Sequence, residues 1–145
     1  MNKLPDLKLE CETEVRVRFN EVDALKIVWH GHYVNYFEDG RQAFGAKFNL
    51  GYLDVFKEGF TTPIVEFNCA HKAPLTFGDV ATVKTTFVDS PAAKIIFDYQ
   101  ITKGDNVLVA KGRSVQVFLH AKTQELELYQ PEFFIDWKKN NGLSR

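Results

Sequence analysis

The sequence predicts one α+β domain in which an antiparallel sheet wraps around one long central helix. Three observations predict it. Apolar and charged residues alternate in "TEVRVRF", apolar residues then recur at helical spacing from Tyr33 to Phe48, and four more strand-like runs follow with turn residues between them. A chain of 145 residues can bury about two thirds of its unfolded surface in a single core, so residues 1–145 are read as one domain.

The first strand rests on Val15, Val17 and Phe19, which alternate with Glu14, Arg16 and Arg18. That is the two-residue period of a strand with one buried face. From Gly31 onward the period changes: Tyr33, Phe37, Gly40, Phe44 and Phe48 recur at steps of four, three, four and four, one stripe of a helix ending near Gly51. Gly40 inside that stripe costs up to about 1 kcal/mol against alanine, which predicts close approach to another backbone. A polar linker, "LDVFKEGFTT", comes next. The runs "PIVEFNCAHKA", "DVATVKTTFVD", "AKIIFDYQITK" and "NVLVAKGRSVQVFLHAK" then read as strands, broken at Gly78, Ser90-Pro91 and Gly104-Asp105-Asn106. In the third, Ile95, Phe97, Tyr99 and Ile101 share one face while Lys94, Asp98, Gln100 and Thr102 share the other. The helix is expected to cover the apolar face. "QPEFFIDW" adds a short terminal helix. Long strands such as residues 107–120 leave edges that attract pairing, so a homodimer joining two sheets edge to edge is expected.

Composition removes several functions. A net charge of −1 supplies no cluster of Lys and Arg for phosphate neutralisation, which argues against nucleic acid as a partner. "MNKLPDLKLE" lacks the apolar run of a signal peptide and no later segment is long enough to cross a bilayer, so a cytoplasmic protein without a membrane span is expected. Cys11 and Cys69 lack the spacing of a metal knuckle and carry no assigned role. His30 and His32 stand two apart with nothing placing His71 or His120 beside them, so no metal site and no cofactor is expected. Thirteen Phe and five Tyr imply a core, an interface or a ligand pocket built from flat rings.

The stretch "FNEVDALKIVWHGHYVNYFEDGR" carries the chemistry. The helix begins at Val28, Trp29, His30 and Gly31, none of which is a good side-chain cap, so its first amides are free. Free N–H groups at the positive end of a helix polarise a carbonyl, and a carbonyl that becomes an oxyanion gains most. If the loop folds back over that end, Asp23 faces the same carbonyl, where a carboxylate can attack carbon or take a proton from water. An aspartate just after a strand equally fits a turn residue bonding its own backbone. Glu38, near the Tyr33/Phe37 face, either assists catalysis, is solvated, or pairs with Arg41 or Gln42 at helical spacing.

Those residues resemble the hot-dog-fold acyl-CoA thioesterases of the 4-hydroxybenzoyl-CoA thioesterase type. Asp23 falls on the family's catalytic aspartate, Val28-Trp29-His30 on its apolar pair and ring residue, Tyr33 on its helix tyrosine and Glu38 on its helix acid. "TPIVEFN" is similar to the family's second strand, with Thr62 and Asn68 in corresponding places, and Lys94 matches a position that contacts CoA phosphates. Leu25-Lys26 replaces the family's usual glycine after the Asp-Ala pair. The resemblance implies a hot-dog fold, a homodimer or homotetramer with sites between subunits, and hydrolysis of an acyl-CoA or related thioester. In that picture the backbone N–H of His30 polarises the carbonyl and Asp23 is nucleophile or general base. A hot-dog dehydratase or hydratase using the His30 imidazole, and a non-catalytic acyl-binding module, are the alternatives.

Overall fold

The computed structural model describes residues 8–143; the first seven residues of the stretch read for a leader pattern lie outside them. The first strand, β1 (Glu10–Arg16), leads into a 3-10 turn at Phe19–Glu21, a loop, and a second 3-10 turn at His30–His32. The long helix α1 (Tyr33–Phe48) follows, then a short helix α2 (Tyr52–Phe56) and a two-residue strand β2 (Phe60–Thr61). Four long strands come next, β3 (Ile64–His71), β4 (Val80–Val88), β5 (Lys94–Lys103) and β6 (Val107–Val117). A short strand β7 (Leu119–His120) and the helix α3 (Glu132–Asn140) end the described chain.

The five long strands form one antiparallel sheet in the order β1-β4-β5-β6-β3, with β1 and β3 at its edges. Ile95, Phe97, Tyr99 and Ile101 are all buried on the inner face, as the period of two requires. Helix α1 lies on that face, with Phe37 stacked on Tyr99 at 4.5 Å and 9° and Phe44 meeting Phe97 at 4.9 Å. Most of the aromatic surplus goes into this core, where Phe87, Phe118, Phe134 and Trp137 extend the cluster beneath α3. Gly112 sets the spacing of helix and sheet: a Cβ there would overlap the Phe37 ring and the Asn68 carbonyl oxygen. Cys11 and Cys69 are free thiols.

Several expectations need correction. Phe19 is 76% exposed rather than buried, because the chain leaves the sheet after Arg16 and turns, placing its ring edge-on to Phe77 at 5.8 Å. The polar linker contains α2, started by the Asp54 carboxylate accepting the Gly51 N–H at 2.8 Å. Gly40 meets side chains of β4 rather than a backbone: a Cβ there would overlap Thr85 Oγ1 and lie 2.8 Å from Val83 Cγ1. The run 107–120 is not one strand, since it breaks at Phe118 and its end pairs with β2 in a separate two-stranded sheet.

Candidate active site

The loop between the two 3-10 turns is a small hairpin. Trp29 N–H donates to the Glu21 carbonyl at 3.0 Å, Val22 bridges Val28, and Asp23 N–H donates to the Ile27 carbonyl at 2.9 Å. Val28 N–H donates to the carbonyl of fully buried Leu75 at 2.8 Å and Ile27 bridges Thr76, which ties the hairpin to the β3–β4 connection. Hydrogen-bonded ladders keep opposite residues side by side. The loop therefore returns Asp23 to within two ladder pairs of Trp29, the residue before the helix entry. At the tip, Leu25 N–H donates to Asp23 Oδ1 at 2.8 Å. The turn role is thus real, and it occupies one carboxylate oxygen. Lys26, in the segment where the family resemblance calls for glycine, has φ of 65°. A side chain in that left-handed region costs about 1 kcal/mol.

The helix entry is open, as its sequence implies. Neither the turn at His30–His32 nor α1 has a side-chain cap, and the N–H groups of His30 and Gly31 donate to nothing among the described residues. Val28 is buried beneath the entry, and Trp29 is 48% exposed above it. Tyr33 is buried, with its ring edge-on to His71 at 4.5 Å. Burial pushes the Tyr33 phenol up, the Cys69 thiol adds to this, and a backbone bond from Leu75 opposes it. Burial likewise pushes the Cys69 thiol up. Beside the hairpin, Glu21 Oε1 accepts from the Arg18 N–H at 2.7 Å and the Tyr36 hydroxyl at 3.0 Å. Burial and then that Glu21 bond raise the Tyr36 phenol well above its ordinary value. Burial also raises Asp39, with Glu38 adding and Arg18 opposing.

Asp23, Val28, Trp29, His30 and Tyr33 therefore share one end of the molecule. The other expected residues lie elsewhere in the chain. Glu38 is exposed, because each helical residue turns about 100° and the Tyr33/Phe37 face is the buried one. It makes no ion pair with Arg41 among the described residues. Eight residues on from His30, it sits about 12 Å along the axis. There it lines a cleft of about 890 Å³ with Arg41, Thr62 and Gln116, whose Nε2 donates to the Thr62 carbonyl at 2.7 Å. Gln116 Oε1 is buried without a partner among the described residues. Asn68 projects from the outer face of β3 opposite Arg113, and Lys94 opens β5, exposed. Sequence reasoning passed over Glu21, which buttresses the hairpin, and His71, which the fold brings against Tyr33. Among the described residues no group of three or more His, Cys, Asp or Glu is arranged to hold a metal ion, and no helix is long and apolar enough to cross a membrane.

Comparison with known proteins identifies the family and the fold. The family model of the thioesterase-like superfamily matches residues 17–137. The Bacillus subtilis protein YneP, provisionally named an acyl-CoA thioesterase, is 30% identical over 128 residues, covering 86% of this chain and 89% of YneP. The chloroplastic acyl-acyl carrier protein thioesterase ATL3 of Arabidopsis thaliana is 34% identical over 107 residues, covering 72% of this chain and 56% of ATL3. Among solved structures, a DHNA-CoA thioesterase from Staphylococcus aureus superposes with a TM-score of 0.81 at 23% identity, covering 92% of each chain. The 4-hydroxybenzoyl CoA thioesterase of Pseudomonas gives 0.76 at 21% identity, covering 88% of this chain and 98% of the other. The sheet order, the helix on its inner face and the family match over residues 17–137 together make this chain a hot-dog-fold member of the thioesterase-like superfamily.

Proposed function

We propose that the protein is an acyl-CoA thioesterase, with Asp23 and the open amides of the helix entry acting on one carbonyl. The observation that carries this is the hairpin, which brings Asp23 back to within two ladder pairs of Trp29, the residue before an uncapped helix start. The His30 N–H donates to the thioester carbonyl oxygen and stabilises the charge that develops there. Asp23 Oδ1 is engaged by Leu25, leaving Oδ2 to attack the carbonyl carbon or to take a proton from the attacking water. If Oδ2 attacks, the C–S bond breaks to release the thiolate and leaves an acyl–Asp23 anhydride, which water hydrolyses to the acid and the free carboxylate. If Oδ2 takes a proton from the attacking water, the C–S bond breaks to give the acid directly and that proton passes to the sulfur.

Assembly completes the site in this reading. Edge strand β3 exposes Ile64, Val65 and Phe67, a run of apolar residues on an unpaired edge that favours pairing with a second copy. A homodimer, alone or doubled to a homotetramer, would bring Glu38 and Thr62 of one subunit toward the helix entry of the other, whereas Asn68, on the outer face of β3, is left to meet substrate from the far side of the sheet. Trp29 flanks the acyl end, with buried Val28 and Tyr33 supporting the helix entry from beneath, and Lys94 is offered to CoA phosphates. The relationship to ATL3 makes a carrier-protein thioester the second substrate to try. The compartment proposed is the cytoplasm.

The test is thiol release from short, medium, long and aryl acyl-CoAs and from an acyl carrier protein thioester, followed with a thiol reagent. Turnover of at least one is expected. Tight acyl-CoA binding without release of thiol from any of them would refute the enzyme and leave an acyl-binding module.

A further inference from the structure

The residue after His30 is a glycine that the backbone does not require. Gly31 is absent from the residues with positive φ, which are Gly59, Gly78, Gly104, Gly142 and four non-glycines. Glycine in a helix entry also costs backbone entropy that alanine would not. What Gly31 provides is room. A Cβ on it would overlap Cζ3 and Cη2 of Trp29 and lie 2.6 Å from Cε3. All three atoms belong to the six-membered ring, the far end of the side chain, so the indole lies flat against the Gly31 backbone. Two imidazoles hold it there, His30 at 5.0 Å and 48° and His32 edge-on at 5.5 Å and 80°. Trp29 is half-exposed, so this is not core packing.

We propose that Gly31 is a positioning residue whose missing side chain seats the Trp29 indole across the helix entry, where the ring screens the free His30 and Gly31 amides from water. This rests on the thioesterase reading. A hydrogen bond to a developing oxyanion strengthens as the surrounding dielectric falls, so a dry flank makes the same two N–H groups better donors in the transition state. Gly31→Ala keeps both N–H groups and removes only the seat.

The test uses the full chain, with Gly31→Ala, Trp29→Ala and the double variant beside wild type, and two readouts. The first is kcat and KM on the best thioester found above. The second is acrylamide quenching of tryptophan emission; the other tryptophan, Trp137, is buried with its Nε1 bonded to the Phe48 carbonyl, so a change between wild type and Gly31→Ala reports Trp29. Gly31→Ala is expected to lower kcat on the order of tenfold with KM within about twofold, and to increase quenching, as one weakened donor would. The double variant should be no slower than Trp29→Ala alone, because the alanine acts only through the ring. Wild-type quenching in Gly31→Ala, wild-type kcat with altered quenching, or losses that add in the double variant would each overturn the proposal. If wild type releases no thiol from any thioester, the thioesterase reading fails instead, while quenching still decides whether Gly31 seats the ring.

Discussion

Asp23 has a visible structural duty and a proposed chemical one, and a single substitution separates them. Asparagine at position 23 keeps an oxygen where Oδ1 accepts the Leu25 N–H at 2.8 Å, so the turn survives and stability should change by no more than about 0.5 kcal/mol. It loses the charge and the basicity that attack or proton abstraction requires. Thioester hydrolysis should fall at least about 100-fold, equivalent to about 2.7 kcal/mol of barrier. Alanine loses the turn bond as well, worth about 1 kcal/mol, so Asp23→Ala should melt a few degrees lower and be equally inactive. Thermal unfolding by circular dichroism and initial rates of thiol release supply both quantities. Asp23→Asn with wild-type kcat/KM, alongside an Asp23→Ala loss no larger than its melting shift explains, would reduce Asp23 to a turn residue.

The buried Thr85 hydroxyl has no partner among the described residues and faces Gly40; Thr85→Val should stabilise the fold by about 1 kcal/mol in urea unfolding, whereas Gly40→Ala should destabilise it by about 1–3 kcal/mol through overpacking. Val65→Lys on the open edge of β3 should convert dimers to monomers in sedimentation at micromolar concentration, and a monomeric wild type would contradict edge pairing. Asp79 is held below the usual carboxylate range chiefly by the Thr76 backbone N–H at 2.9 Å, with Lys103 adding. A carboxyl depressed in the fold binds its proton more tightly when unfolded, so its contribution is present near neutrality and disappears as pH falls through the folded value. Asp79→Asn should therefore flatten the acid limb of the stability profile, measured as melting temperature from neutral pH downward.

Where local periodicity decides structure, the sequence was sufficient. The inner face of β5 is buried as its spacing demands, and so is the Tyr33–Phe48 stripe up to Phe44, with Phe48 partly buried against the core at the helix's end. The exceptions have physical causes. Phe19 continues the alternation beyond the point where the chain leaves the sheet, and a period of two carries no signal for that departure. Helix α2 is too short to show a stripe, although Gly51 followed three residues later by Asp54 was a readable start signal. The site was half legible. Asp23, Trp29 and His30 fall within one eight-residue stretch, and a missing cap is visible in the letters. His71 reaches Tyr33 only through the sheet, and Glu21 looks like any charge after a strand until Tyr36 is seen to donate to it.

Phe37 rests on a position that has only a hydrogen beneath it. One turn before Phe37 along α1 stands Tyr33, and just before that the open amides, so Gly112 is a fulcrum for the helix. A methyl group there would press on the Asn68 carbonyl and on Phe37 in the first third of α1, displacing the leading end of the helix from the Asp23 hairpin. Such a variant would lose turnover with every proposed reacting group intact, its fault lying at a strand position that carries none of them.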